Sequence, residues 1–239
     1  MIPLRDANPT RRTPLVTLGL IAASFIVFGY ELGVIASGGE AGLNRLFLER
    51  GVVPGELTDA VESGEVVSRP VLSVLTSMFL HGGWIHLLGN MLFLWIFGNN
   101  VEDRLGRLPF LAFYVLGGIV AVVAQVATDP DSAVPLVGAS GAIAATLGAY
   151  VTLFPGARIL SLVFLGFFYQ LIEVPALIVL GFWFVLQLID GLASLGATSA
   201  SGGVAFFAHI GGFVAGAAIA LALRSVVRRG PPGRPVGVG

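Results

Sequence analysis

The chain has no cysteine, no lysine and only three histidines, and acidic and basic residues together fill just 11% of its 239 positions. Without cysteine there is no disulfide framework, no thiolate nucleophile and no Cys-ligated metal centre. The shortage of charge excludes more. A soluble domain carries about 25% charged residues, and a chain with so few cannot cover a water-facing surface. A formal charge of −1, with basic blocks confined to the two ends, excludes a nucleic-acid-binding face. No repeat at a fixed period runs through the sequence, and its intramembrane polar groups are shallow. Both features argue against a solute transporter, which is built from repeated halves with helices broken at midplane.

What is present is apolar. Hydrophobic residues make up 56% of the chain and mean hydropathy is +0.91, which points to an integral membrane protein. A bilayer crossing takes about 20 mostly apolar residues. Residues 13–30 carry no charge, and the apolar run continues past Glu31 to about Ala36. The uncharged stretch 70–101 is too long for one crossing, so its start reads as a lead-in. Residues 108–128 and 132–157 supply a third and a fourth span, and 191–223 hold the last behind the Gly/Ser-rich loop GLASLGATSASGG. Between them, 159–189 contain one charge, Glu173, followed by Val174-Pro175. We read 159–172 as interfacial and 174–192 as the fifth span. The expected fold class is therefore an all-α membrane protein with six transmembrane helices.

Arginine placement supports that count, because cytoplasmic loops collect Arg and Lys. With six spans and the N-terminus inside, ten arginines lie inside (5, 11, 12, 104, 107, 158, 224, 228, 229 and 234) and three outside (45, 50 and 69). A seventh span would push the C-terminal cluster outside. The organisation read from this is a cytoplasmic N-terminal segment, 1–14, a membrane domain, 15–225, and a disordered cytoplasmic tail, 226–239. Both termini are expected to be cytoplasmic, in a bacterial plasma membrane. Residues 15–37 are read as a retained span, since a signal peptide's apolar core has only about 7–15 residues. The outside loop 38–69 is acidic, with apolar stretches suited to the membrane surface.

Polar groups inside a membrane are costly and usually functional. In this topology the second, fourth and sixth helices run from outside to inside. His86 lies near the start of the second, Ser140 near the start of the fourth and His209 early in the sixth, so all three fall at one depth, about 10 Å below the outer face at 1.5 Å per residue. His86 and Asn90 share a helical face at i,i+4, while His81 lies on another face or in the preceding turn. Gly141, Ala145, Gly148 and Thr152 form one small-residue stripe, and His209, Gly212, Gly216 and Ala220 form another; such faces let membrane helices approach closely.

Taken singly, each residue has an ordinary reading. GASG at 138–141 is the kind of segment that lines a helix interface, His209 could be a satisfied interior histidine, and Asn90 could be interhelical glue. The conjunction says more. A serine hydroxyl is a weak nucleophile until a base takes its proton, and His is the usual base near neutral pH. Asn90, His86 and the Ser140 backbone N–H could receive an oxyanion, each donor being worth about 3–4 kcal/mol in a dry site. No Asp or Glu is placed to orient His209, so the expectation is a dyad rather than a triad. Three histidines permit a metal site, but there is no HExxH and no cysteine, and only Glu31 or Asp190 could bring a carboxylate to that depth. We expect no metal and no cofactor. Hydrolysis consumes water, so the site must open outward, with the Gly-rich loop before the sixth span as a lid.

With FLHGGWIHLLGNM (79–91), VEDRLGR (101–107), GASGAIAATLGAY (138–150) and AHIGGFVAG (208–216) in this order and spacing, the chain resembles the rhomboid family of intramembrane serine proteases over about 70–225. The resemblance implies a six-helix rhomboid-like bundle. It also implies Ser140 as nucleophile, His209 as general base, and His86 with Asn90 as oxyanion donors. His81, Gly138, Gly141 and Gly212 would be structural neighbours of the site, and Glu102 with Arg104 a polar pair fastening the cytoplasmic loop. The implied partners are the lipid bilayer and single-span membrane proteins, cleaved near the outer face at small residues. The alternative is an inactive relative that binds or escorts membrane proteins. Two positions depart from the family pattern. Leu72-Ser73 stand where many relatives carry Trp-Arg. Ala144 stands where relatives often place an aromatic against the catalytic histidine, so His209 needs another neighbour, expected among Phe206, Phe207 and Phe79.

Overall fold

In the computed structural model, which describes residues 1–165, 168–195 and 204–224, the apolar runs fold as helices. The first is α1 (Leu15–Arg50), broken at Gly39, where φ is +61°. Its second half and α2 (Pro54–Glu62) occupy the segment expected to be a loop. Then comes α3 (Arg69–Thr76) with a tight turn, Ser77–Phe79. After the His81-Gly82-Gly83 corner, α4 (Trp84–Phe93) passes through a wide π turn, Leu94–Gly98, into α5 (Asn99–Leu105). The remaining helices are α6 (Arg107–Val126), α7 (Ser140–Leu153), α8 (Ala176–Ser194) and α9 (Phe206–Leu223).

Among the described residues, α1, α6, α8 and α9 are long and apolar enough to cross a bilayer, and the pair Arg69–Phe79 and Trp84–Leu105, bent by 79°, makes a fifth candidate. The chain is an integral membrane protein. The expected fourth span is shorter than the sequence suggested: α7 has 14 residues, about 21 Å of helix against about 30 Å of hydrocarbon. Its surroundings allow this. Every residue from Gly141 to Tyr150 is buried, so α7 is the bundle's central helix and shows no face to lipid. The non-helical segment before it, residues 131–138, is only partly buried.

The fold is not wholly helical, which corrects the all-α expectation. Strands β1 (Ile2–Asp6), β2 (Arg158–Leu165) and β3 (Phe168–Pro175) form an antiparallel sheet in the order β1-β2-β3. The apolar segment read as interfacial is thus a hairpin with Ser161 opposite Ile172, and it pairs back to residues 2–6. Ile159 and Ser161 turn into the core, and Arg158 reaches Glu173 across the pair at 3.3 Å. The sheet lies at the end of α7 away from Ser140. There Asp6 is buried, its Oδ2 accepting from Tyr150 Oη–H at 2.9 Å and from Asn100 Nδ2–H at 2.6 Å.

Glu102 and Arg104 do not pair with each other. Glu102 Oε1 accepts from the Val16 N–H at 3.0 Å, and Oε2 accepts from the Thr17 N–H and hydroxyl at 2.7 and 2.8 Å. The carboxylate thereby caps the first turn of α1, whose own Pro14 cap offers no side-chain acceptor. The Arg104 guanidinium lies over the Phe154 ring. The expected tail, 226–239, lies outside the described residues.

Candidate active site

The site begins at a glycine. The chain approaching α7 is pinned by Val52, which exchanges backbone hydrogen bonds with Leu136 at 2.7 and 3.0 Å, and by the Gly138 N–H, which donates to Ser77 O at 2.9 Å. Gly138 has φ +127°, and a Cβ there would lie 2.8 Å from His86 Cε1 and Nε2. Backbone conformation and space both demand glycine. The turn delivers Ser140 as the first residue of α7, where the leading N–H groups have no partner within the helix and the dipole favours negative charge.

Close packing brings the second side chain. A methyl built on Gly212 would overlap Gly141 O, one on Gly216 would overlap Ala145 O, and one on Gly148 would overlap Phe213 O, so α7 and α9 touch through their backbones. A Cβ added to Gly141 would lie 2.5 Å from Ala121 Cβ, placing α6 in the same contact. Gln125 on α6 accepts from the Ala208 N–H at 3.2 Å, fixing the start of α9. In this frame His209 Nε2 stands 2.8 Å from Ser140 Oγ, from a position 69 residues away in sequence.

His209 is 9% exposed, and its other nitrogen is engaged as well: Nδ1 lies 2.6 Å from Gln187 Oε1 on α8. One tautomer satisfies both contacts: Nδ1–H donates to Gln187 and Nε2 accepts from the Ser140 hydroxyl. Trp183, one turn earlier on α8, packs beside the imidazole at 5.8 Å between centroids. The aromatic neighbour sought among Phe206, Phe207 and Phe79 is therefore a tryptophan from another helix, filling the role that Ala144 cannot. Gln187 escaped sequence reasoning that sought only a carboxylate for the base. Its signal was a lone amide in the apolar run from Ala176 to Ile189.

His86 lies against Gly138, two residues before Ser140. Its Nδ1 accepts from the Gly82 N–H at 3.3 Å, which leaves Nε2 as the protonated nitrogen beside Gly138. Asn90, one turn on, is buried, and its Nδ2 donates to nothing among the described residues. His81 sits in the corner before α4, 1% exposed. Its Nδ1 bonds Phe79 O at 3.0 Å, its backbone N–H donates to Glu31 Oε1 at 2.9 Å, and its ring packs edge-on against His86 at 5.2 Å. Glu31, fully buried on α1, thus holds the corner. Among the described residues no group of three His, Cys, Asp or Glu could hold an ion. A cavity of about 30 Å³ lies beside Ser140, lined by small or flexible side chains including Ser77, Met78, Gly118, Ala142 and Ala208. The expected lid, the loop 191–203, is shorter than the sequence suggested, because its first four residues, Gly191 to Ser194, are the last turn of α8; residues 196–203 lie outside the described residues.

The Rhomboid domain profile matches residues 68–226. The chain is 36% identical over 148 residues to the rhomboid protease GluP of Bacillus subtilis, covering 62% of this chain and 26% of that protein. It is 37% identical over 99 residues to the human mitochondrial presenilin-associated rhomboid-like protein, covering 40% of this chain and 25% of that one. To RHOMBOID-like protein 5 of Arabidopsis thaliana it is 34% identical over 79 residues, covering 33% of this chain and 26% of that protein. The chain thus spans about a quarter of the length of the curated relatives it matches.

Proposed function

The chain belongs to the rhomboid family, and from that premise we propose that it is an intramembrane serine protease that hydrolyses single-span membrane proteins near the outer membrane face. The observation that carries the reading is the 2.8 Å contact between Ser140 Oγ and His209 Nε2. His209 takes the hydroxyl proton as Ser140 attacks the scissile carbonyl, then returns it to the leaving amine. Water then hydrolyses the acyl-enzyme through the same base. The oxyanion is received by the Ser140 N–H at the head of α7, by His86 Nε2–H and by Asn90 Nδ2–H. Donors already in place cost no reorganisation as the charge develops.

The substrate must unwind, because a helical peptide bond keeps its carbonyl in a hydrogen bond. The cavity beside Ser140, about 30 Å³ and closed in by Met78, Val122, Leu136 and Val137 among smaller residues, suits a small side chain at the cut. Six spans, with α7 as the central one, put both termini on the cytoplasmic side and the site toward the outer face. The membrane domain is 15–225, preceded by the cytoplasmic segment 1–14.

The test pairs a serine-directed fluorophosphonate with a fluorogenic single-span peptide in vesicles. Ser140→Ala and His209→Ala each lower turnover by at least about a thousandfold while leaving the unfolding midpoint near that of the parent. Turnover that survives in Ser140→Ala ends the protease reading. A parent protein that neither labels nor cleaves favours the escort function instead.

A further inference from the structure

The second nitrogen of His209 bears on how the base works. A Ser–His pair is competent only when Nε2 is the unprotonated nitrogen and faces the hydroxyl, and an imidazole left alone distributes its proton between both nitrogens. In soluble triads a carboxylate resolves this by accepting from Nδ1–H. No carboxylate reaches Nδ1 here; the acceptor at 2.6 Å is the side-chain oxygen of Gln187.

The fold supports Gln187 from above and below on α8. Trp183, Gln187 and Gly191 follow at intervals of four, so they share the helix face turned to α9. Trp183 packs against His209 and, at 6.1 Å, against Phe213. A Cβ on Gly191 would come within 3.2 Å of Ile210 and 3.3 Å of Phe206, so α8 and α9 run close together one turn beyond the amide. The opposite side of α8, with Phe182 and Ile189, is exposed. Gln187 therefore stands on the one stripe of α8 that is docked, with its oxygen against a buried imidazole.

We infer that Gln187 is a positioning residue that extends Ser140 and His209 into a hydrogen-bonded Ser–His–Gln array, fixing the imidazole in the tautomer and orientation that can receive the serine proton. The inference rests on the protease reading above and deepens it. Gln187 exchanges no proton and touches no substrate. It accepts from Nδ1–H while the ring is neutral and continues to accept when the ring is an imidazolium. Replaced by a side chain without an acceptor, it would leave Nδ1–H as an unpaired buried donor, and the ring could turn or shift its proton to Nε2.

The experiment measures kcat and KM for the fluorogenic single-span peptide in vesicles, and the labelling rate with fluorophosphonate, for the parent, Gln187→Leu, Gln187→Met and Gln187→Glu. Loss of the acceptor in Leu or Met lowers kcat and the labelling rate by about 10–100-fold with KM within about twofold. Glu offers an acceptor oxygen at the same place in either protonation state, and restores kcat to within about threefold of the parent. Unchanged kcat in Leu and Met overturns the inference. So does a Glu variant as impaired as Leu, or an effect confined to KM. Met, close to Gln in length, covers the case in which Leu does not fold. Ser140→Ala and His209→Ala run alongside: activity remaining in either refutes the protease reading itself, whereas dead controls beside a parent-like Gln187→Leu refute only the role of Gln187.

Discussion

Glu102 spends both carboxylate oxygens on three donors at the head of α1, and losing them leaves two backbone N–H groups without partners. Glu102→Ala is expected to lower stability by about 2–4 kcal/mol, by the cost of a lost cap and of orphaned donors, whereas Thr17→Ala, which removes only the hydroxyl contact, costs about 1 kcal/mol. Denaturant titration in micelles, read by tryptophan fluorescence, separates the two; equal effects would mean the backbone contacts contribute nothing. Asp6, near the start of the chain and bonded to Asn100, is a different kind of acid. Burial lifts its carboxyl to about 6, and the hydrogen bond from Tyr150 opposes this only in part. An acid whose pKa is raised on folding binds its proton more tightly in the native state. Its contribution to stability is therefore fully present below about 3.8 and is lost as pH rises through about 6. Asp6→Asn holds the neutral form at every pH, so the variant should gain stability relative to the parent between pH 4 and 7. A difference that does not vary with pH across that window would show that Asp6 stays ionised in the fold.

Helices α7 and α9 hold the site together without any side chain between them at the crossing. Gly216 faces the Ala145 carbonyl and Gly212 faces that of Gly141. Gly216→Ala has no flexible neighbour to displace, so α9 itself must move. We expect a stability loss of about 1–3 kcal/mol from overpacking and a turnover loss near a hundredfold, because a shift of about 1 Å between nucleophile and base is enough for that. Gly29→Ala on α1, where a methyl meets nothing within 4 Å, is the matched control. It should keep full turnover and gain up to about 1 kcal/mol from helix propensity. If Gly216→Ala matches it in both assays, the backbone contact is not what sets the site. Both small-residue stripes were legible in the sequence because a membrane helix interface writes itself at intervals of three and four. The sheet was not. Residues 159–165 form one apolar run, and the partner that makes them a strand, Ile2–Asp6, is more than 150 residues away in sequence. Gln187 was only half legible for the same reason: a lone amide in an apolar run marks the position, but its partner, His209, is on the facing helix. His86 and His209 stood out because the chain has only three histidines, and Ser140 because it falls at their depth inside a run of small residues.

Across the whole molecule, the candidate site and the three-stranded sheet occupy opposite ends of α7. Ser140, His86 and His209 each lie within the first turn of a helix, whereas the sheet closes the other end of α7. That sheet bears on the number of crossings. Strands β1 and β2 are hydrogen-bonded neighbours, so an even number of crossings separates residue 6 from residue 158. Taken as crossings, the first half of α1, the bent pair and α6 make three, and the proposed six-span bundle takes the short α7 as the fourth. The count has a direct test, made simple by the absence of cysteine. Val66→Cys, 75% exposed after the first crossing, and Tyr169→Cys, 71% exposed in the hairpin, introduce single thiols in turn. With the arginine-rich ends inside, a membrane-impermeant maleimide applied to intact cells labels Cys at 66 and reaches Cys at 169 only after permeabilisation. If α7 does not cross, the hairpin lies on the same side as residue 66 and both thiols react together. If the bundle is inserted the other way, the order reverses, and the water that deacylates Ser140 must come from the cytoplasm.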